Sequence, residues 1–294
     1  MTALRIEVSE EELYDLYVNQ WMSTPEIASR YGCSTETIRL RLQRLEIPLR
    51  TLSESHLSKE IIAKLGDFRG GLSEKAYLIG FRIGDLRARK PSPDSPFLFL
   101  DSSSSRPEQI ELIQQLFGSY GDVRVTSRPD SRSGATEYHA RCLLNNTFDF
   151  LLAPLPGIPD WILDSDCHFA AFLGGYTDAE GSFHIQAGTG RQVEQGRFKI
   201  QTTDRTIVEQ CHDKLAEAGI TSSHVRRAIQ AGHIDKRGVT ARKDVWEFEV
   251  GEKGSLARLI ELVSPWIRHS KRREDMERVL RNIEKRKGTA HGVF

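Results

Sequence analysis

Two carboxylates in this chain stand where an apolar helix would end. Residues Phe172–Phe183 read FLGGYTDAEGSF: an apolar run that begins at Phe169 meets Asp178, Glu180 and Gly181, then passes into the alternation Ser182, Phe183, His184, Ile185. The pattern predicts an apolar helix, a stop at Gly181 and a strand. Glu180 then lies at the negative end of the helix dipole, which does not favour an acid. It is either a solvated acid of the last turn or an acid kept for a use such as metal binding. Tyr77–Leu86, YLIGFRIGDL, repeats the pattern, with Asp85 standing 95 positions before Glu180 and Gly80 and Gly84 where the second copy has Gly175 and Ala179. Small residues four apart share a helix face and let two backbones approach closely. Two such helices packed face to face bring Asp85 and Glu180 side by side, and adjacent carboxylates suit a hard divalent cation such as Mg²⁺ or Mn²⁺.

Both segments resemble the LAGLIDADG motif of homing endonucleases. Phe172–Gly181 is a good match; Tyr77–Leu86 departs from it, with Leu86 in place of the terminal glycine and Arg82 placing a charge inside the helix. The resemblance includes the order of helices and strands around each motif. It implies an α+β fold in which two pseudo-symmetric αββαββα repeats form saddle-shaped antiparallel sheets. It also implies a monomer that imitates a dimer's two-fold symmetry and so reads an asymmetric site in double-stranded DNA. Asp85 and Glu180 would hold the metal ions and support hydrolysis of one phosphodiester in each strand. The family also uses a basic residue in each pocket. In the second half the match is Lys271 or Arg272, just after Pro265-Trp266-Ile267; in the first half the matching region, Pro154–Pro159, holds no Lys or Arg. With Arg82 and Leu86, that departure leaves open full cleavage, nicking and an inactive enzyme. The alternatives of another class are a non-cleaving DNA-binding regulator that keeps the fold and a helper of intron RNA splicing.

The chain is long enough for two or three compact units. Its 41 basic and 41 acidic residues cancel, which argues against a strongly basic non-specific DNA binder unless a basic groove is hidden in the total. The acids crowd the N-terminus, and Arg268–Lys287 is rich in Lys and Arg. No apolar run approaches the ~18 residues of a membrane span, and the acidic start, MTALRIEVSEEE, is no signal peptide. Cys33, Cys142, Cys167 and Cys211 lack metal-ligand spacing and read as reduced thiols of a cytoplasmic protein, nucleoid-associated when on DNA. The Met start and the lack of a splice-junction motif point to a free-standing protein.

Residues 1–52 read as three helices. Ser9 with Glu12 forms a capping-box pattern, Thr24 caps a helix with Pro25 at its first position, and Ser34 caps Ser34–Leu45, which follows a turn at Gly32-Cys33. This resembles a helix-turn-helix DNA-binding domain. In that reading Thr35, Thr37 and Arg39 reach base edges, Arg41 and Arg44 touch phosphates, and Arg50 enters the minor groove from an extended arm. The plain alternative is a helical packing module with solvated arginines. Residues 53–74 form a connector with a helix at Leu57–Leu65.

Residues 75–154 and 169–294 each read as helix, two strands, helix, two strands, helix, joined by the proline-stiffened linker 155–168. In the first repeat Arg87 and Arg89 share one strand face, and Arg124 and Arg128 share another. In the second, Arg197 and Lys199 alternate toward DNA, with Arg191 and Gln192 in the preceding turn; His184, just past Glu180, is close enough to the acids to contact DNA or water but reads first as a plain strand histidine. Exposed charges that resist edge-to-edge aggregation explain any one of these residues; DNA contact explains the set.

Overall fold

The computed structural model describes residues 8–50, 52–55, 59–93, 95–129, 134–152, 156–187, 194–235 and 238–288. Arg191, Gln192, Pro154 and most of the DSRSGAT loop lie outside them. No helix among the described residues is long and apolar enough to cross a membrane.

The N-terminal unit comprises α1 (Glu10–Tyr14), a π-helical turn (Asp15–Asn19), α2 (Thr24–Arg30) and α3 (Thr35–Arg44). Leu13, Leu16, Ile27, Ile38 and Leu42 meet in its core. Ser9 caps α1 by accepting from the Glu12 N–H at 3.0 Å, and Ser34 caps α3 by accepting from the Thr37 N–H at 3.1 Å. The cap of α2 is Ser23, not Thr24. Ser23 Oγ accepts from the Glu26 N–H at 3.3 Å while the Glu26 carboxylate accepts the Ser23 N–H at 2.7 Å, so the reciprocal box forms one residue earlier than expected. Gly32, at φ +62°, makes the turn between α2 and α3.

Arg50 departs from the arm predicted for it. Its guanidinium lies 4.2 Å from the Tyr17 ring centroid and 3.9 Å from that of Trp21. It also donates to the carbonyl oxygens of Tyr17 and, at 3.0 Å, Met22. A weakly hydrated planar cation between two rings gains more there than as a free arm. Trp21 holds a left-handed backbone (φ 55°), unusual for a bulky residue, and its ring packs edge-on against Phe97 of the first repeat at 5.0 Å. Arg50→Ala is therefore expected to cost the N-terminal unit about 2–4 kcal/mol, through lost cation–π contact and unpaired carbonyls. A melt followed by Trp fluorescence checks this; an unchanged melt would restore the arm.

The connector contains α4 (Leu52–Ser55) and α5 (Lys59–Ile62); α5 falls within the helix expected at Leu57–Leu65, whose first two residues lie outside the described ones. The first repeat follows: α6 (Leu72–Asp85), β1 (Arg87–Arg89), β2 (Phe97–Ser104), α7 (Pro107–Phe117), β3 (Val123–Pro129), β4 (Thr136–Asn145) and a 3₁₀ turn (Asn146–Leu151). After the short α8 (Asp160–Leu163) the second repeat has α9 (Asp166–Glu180), β5 (Gly181–Gln186), β6 (Gln195–Thr202), α10 (Arg205–Glu217), β7 (Arg226–Ile229), β8 (Val245–Val250), α11 (Lys253–Val263) and a final α12 (Ser270–Gly288). The sheets are antiparallel and ordered alike, β1-β2-β4-β3 and β5-β6-β8-β7. This is the α+β, two-repeat architecture expected from the motifs. β7 starts at Arg226, later than the expected Ser223, because Ser223 Oγ accepts the Glu249 N–H at 3.0 Å and its own N–H donates to the Glu249 carbonyl at 2.8 Å. That exchange takes Ser223 out of the ladder. Asp204 precedes α10, but its side chain forms no cap bond.

One apolar core runs through both repeats, with α6 and α9 crossing at its centre. The crossing is close because of two glycines. A Cβ on Gly80 would lie 2.2 Å from the Phe172 carbonyl oxygen, and one on Gly175 2.1 Å from that of Tyr77. From Phe169 to Asp178 every residue of α9 is buried, so this helix has no solvent face.

Candidate active site

Asp85 is the last residue of α6 and Glu180 the last of α9, so the crossing delivers both acids to one place. Gly84 supplies the clearance. A Cβ there would stand 2.5 Å from Ala179 Cβ, 2.8 Å from Glu180 Cγ and 3.5 Å from the Glu180 carboxyl carbon. Burial is the first reason that the Glu180 carboxyl is pushed up to about 7; the charges of Asp85 and Asp204 add to it. Asp85 is pushed up to about 6, again chiefly by burial, against the pull of Arg272 and of the Gln109 amide, which donates to it at 2.8 Å. Among the described residues no donor reaches the Glu180 carboxylate. Gly181 ends α9 as expected, at an ordinary φ of −77°; a Cβ there would collide with Thr177 Cγ2 at 2.7 Å. Two half-buried carboxylates whose charges are only partly compensated fit a hard dication that completes its shell with water and phosphate oxygens. A fuller protein cage is not formed: no three His, Cys, Asp or Glu side chains come together to hold a metal among the described residues.

Asp178 is a third acid here, and unlike the other two it is fully buried and has another role. It accepts the Tyr77 hydroxyl at 2.7 Å and the Arg268 backbone N–H at 2.8 Å. Burial holds its carboxyl up at about 6 against those two bonds. It thereby pins the segment that leads into α12 onto the crossing. The Arg268 guanidinium reaches across to Glu74 of α6, at 2.7 Å, and lies 4.1 Å over the Tyr77 ring. One helical turn further, Arg272 is drawn in beside the acids. Burial lowers its pKa first and Arg106 adds to that, while Asp85 and Asp178 favour its charge; its Nε is buried without a partner. Lys271, the other candidate of the pair, is turned away and donates to Asp275 at 2.6 Å. Arg82, which looked out of place in the motif helix, faces the second repeat, where Asp204 supports its charge, and its Nε is likewise buried and unpaired.

The strand registers correct one expectation. Arg87, Asp101, Arg141 and Arg124 lie in a single cross-strand row, with Arg89 beside Phe99 and Arg128 opposite Glu137. Paired residues point to the same side of a sheet, so Arg87, Arg89, Arg124 and Arg128 share one face, not two. In the second sheet Ser182, Lys199 and Glu249 form one row, and His184 pairs with Arg197. Gln201, Glu247 and Arg226 form another. Here the cations are held by carboxylates: Arg197 by Glu249 at 3.3 Å, Lys199 by Glu247 at 3.6 Å and Arg226 by Glu247 at 2.7 Å. On the opposite faces Leu100, Cys142, Phe198 and Phe248 are buried in the core.

Residues 169–250 match the family model of the LAGLIDADG-like domain. No curated protein matches the chain in sequence. Among solved structures it is similar to the homing endonuclease I-WcaI bound to its DNA recognition sequence, with 14% identity, 74% of this chain and 91% of that one covered, and a TM-score of 0.47. It is also similar to the LAGLIDADG meganuclease I-AabMI bound to uncleaved DNA (13%, 74% and 92%, 0.46). A third similar structure is I-SmaMI bound to an uncleaved DNA target in the presence of calcium ions (12%, 74% and 92%, 0.43).

The matched residues include Glu180, Asp178, Arg197 and Lys199; Asp85 and Arg272 lie outside them. The N-terminal unit lies outside them too. There Thr35, Arg39 and Arg44 are exposed and Thr37 half-buried, with Arg39 paired to Glu36 at 2.9 Å. Arg41 does not project as a free phosphate contact: it donates to the Val8 carbonyl, which folds its guanidinium back onto the unit.

Proposed function

We propose that this protein is a divalent-metal-dependent, sequence-specific endonuclease of double-stranded DNA. The observation that carries the reading is the pair of half-buried carboxylates, Asp85 and Glu180, set by the α6–α9 crossing with Arg272 beside them. Asp85 and Glu180 would hold Mg²⁺ or Mn²⁺ between the repeats, and a scissile phosphate would complete the shell. When bound, such an ion polarises water for attack on phosphorus and stabilises the departing oxygen. Gln109 fixes the orientation of Asp85. Arg272, half-buried with its Nε enclosed, offers that free Nε–H to a phosphate oxygen, where a charge-assisted bond in a water-poor pocket is strong. The two sheet faces take the duplex on either side of the acids, and their unequal residues suit an asymmetric target. The N-terminal unit acts as a helix-turn-helix that lengthens the footprint through Thr35, Thr37, Arg39 and Arg44.

One observation favours a second reading, a DNA-binding regulator without cleavage. Arg82 brings a cation into the motif helix and Leu86 replaces its glycine, so the first half of the site has drifted from the second. Incubating a random duplex library with protein and Mg²⁺, then sequencing the new ends, separates the two. Wild type is expected to yield ends at one sequence, and Glu180→Gln to lower the yield by roughly 10²-fold or more, the scale for removing a group that organises transition-state charge. Selective binding with no new ends in Mg²⁺ or Mn²⁺ would establish the regulator instead.

A further inference from the structure

The two sheet faces differ in chemistry more than a repeated fold requires. The first presents five guanidiniums, those of Arg87, Arg89, Arg124, Arg128 and Arg141, against the carboxylates of Asp101, Asp122 and Glu137. Asp101 is shared by Arg89 at 3.0 Å and Arg141 at 2.5 Å, the exposed Arg128 and Arg124 reach Glu137 and Asp122 at 3.2 Å each, and Arg87 is exposed with no ion pair among the described residues, so two guanidiniums remain in excess. The corresponding face of the second sheet carries three cations, each already held by Glu247 or Glu249. Between them stand the amides of Gln186, Gln195 and Gln201; Gln186 and Gln195, opposite each other in the ladder, each accept from Arg197 at 2.9 Å and keep their NH₂ groups, and Gln201 donates to Glu247 at 3.1 Å and keeps its carbonyl oxygen. In the major groove an arginine fork matches the O6 and N7 acceptors of guanine, whereas a glutamine amide matches the N6 donor and N7 acceptor of adenine. Excess positive charge also binds phosphates without regard to sequence, and that attraction weakens as salt rises.

We infer that the target is divided in composition: the half under the first sheet is guanine-rich and bound in a strongly salt-dependent way, and the half under the second sheet is read at adenines with little dependence on salt. The inference rests on the DNA-binding part of the proposed function and is independent of cleavage. Arg87, Arg124, Gln186 and Gln201 become specificity-determining residues. None of them touches the acid pair, and all four project from the polar faces of their sheets, so their replacement leaves the core intact.

The test selects duplexes from a random library with the full-length chain in the absence of divalent metal, so that binding is read apart from cutting. The same selection is run with Arg87→Ala/Arg124→Ala and with Gln186→Ala/Gln201→Ala. Thermal melts confirm that both variants fold, and assigning positions by variant separates any preference contributed by α3. The arginine variant is expected to relax guanine preferences by roughly tenfold per position on one side of the target centre only. It should also flatten the plot of log affinity against log salt by about one or two in slope. The glutamine variant is expected to relax adenine preferences on the other side and leave that slope unchanged. A selected target with guanines and adenines spread evenly over both halves overturns the inference while leaving the proposed function standing, as do arginine variants that relax positions on both sides. If wild type selects no duplex at all, both fall together.

Discussion

Glu180→Gln is expected to melt about 5 °C higher than wild type at pH 8 without divalent metal, and at nearly the same temperature at pH 5. The acid is displaced upward from 4.5 to about 7, chiefly by burial and then by the charges of Asp85 and Asp204. A carboxyl raised in the folded state stabilises the fold only while it stays protonated. Its contribution is complete below the unfolded value, near 4.5, and is lost as the pH climbs through 7. At pH 8 the carboxyl is ionised in both states, and folding must bury that charge beside another. The displacement corresponds to roughly 3 kcal/mol, of which relaxation and water leave about 2, and in a chain of this size each kcal/mol moves the midpoint by about 2–4 °C. Glutamine keeps the shape and removes the charge. Asp85 and Glu180 titrate as a pair, so the pH dependence of the wild type spreads over the window from 4 to 7 and not over one sharp step. Calorimetry from pH 5 to pH 8 measures the difference, and a difference that does not change with pH would mean that the acid carries no such penalty. The same scan with millimolar Mg²⁺ probes the proposed site by a second route. Wild type should gain stability at pH 8, because a ligand of the folded state alone raises its midpoint, and Glu180→Gln should not.

That penalty was half visible in the sequence. An acid at the wrong end of an apolar helix is legible from one copy of a motif, and its partner from the second copy, because Gly80 and Gly175 announce which helix faces meet. What surrounds the pair was less legible. Periodicity within one strand tells which of its residues share a side, so Arg87 goes with Arg89 and Arg124 with Arg128. Only the ladder register, which depends on loop lengths and bends, puts all four on one face. The choice between Lys271 and Arg272 turned on 100° of helix rotation, and that rotation is fixed by Asp178 holding the Arg268 N–H from another element. Arg50 carried the least warning. Tyr17 and Trp21, which enclose it, lie about thirty positions away, and an arginine after a proline looks the same in sequence whether it projects or folds back.

Gly175→Ala is expected to cost more stability than any other single-methyl change in the α6–α9 crossing. Alanine is the better helix former by about 1 kcal/mol, so helix propensity alone predicts a gain. The crossing reverses the sign. The added carbon would stand 2.1 Å from the Tyr77 carbonyl oxygen and 3.0 Å from the Phe81 nitrogen, both backbone atoms inside a helix that cannot give locally. Gly80→Ala meets the Phe172 carbonyl oxygen at 2.2 Å from the other side of the same contact. Ordinary carbon–oxygen contact requires the helices to separate by about 1 Å, and overpacking of that kind costs about 3 kcal/mol or somewhat more. A fall in midpoint of about 6–12 °C follows. The two substitutions should be strongly non-additive, since one separation relieves both. Gly84→Ala tests the other consequence. There the added carbon meets Ala179 Cβ at 2.5 Å, a longer contact than those at Gly175 and Gly80 but one fixed to its backbone, and the flexible Glu180 side chain at 2.8 Å, so the fold should lose somewhat less while the Glu180 carboxylate is displaced from Asp85. A shift of about 1 Å at reacting groups is enough to cost roughly 10²-fold in rate. Stability should thus fail first at Gly175, and cleavage at Gly84. If Gly84→Ala kept full activity, the acids would not act as a pair.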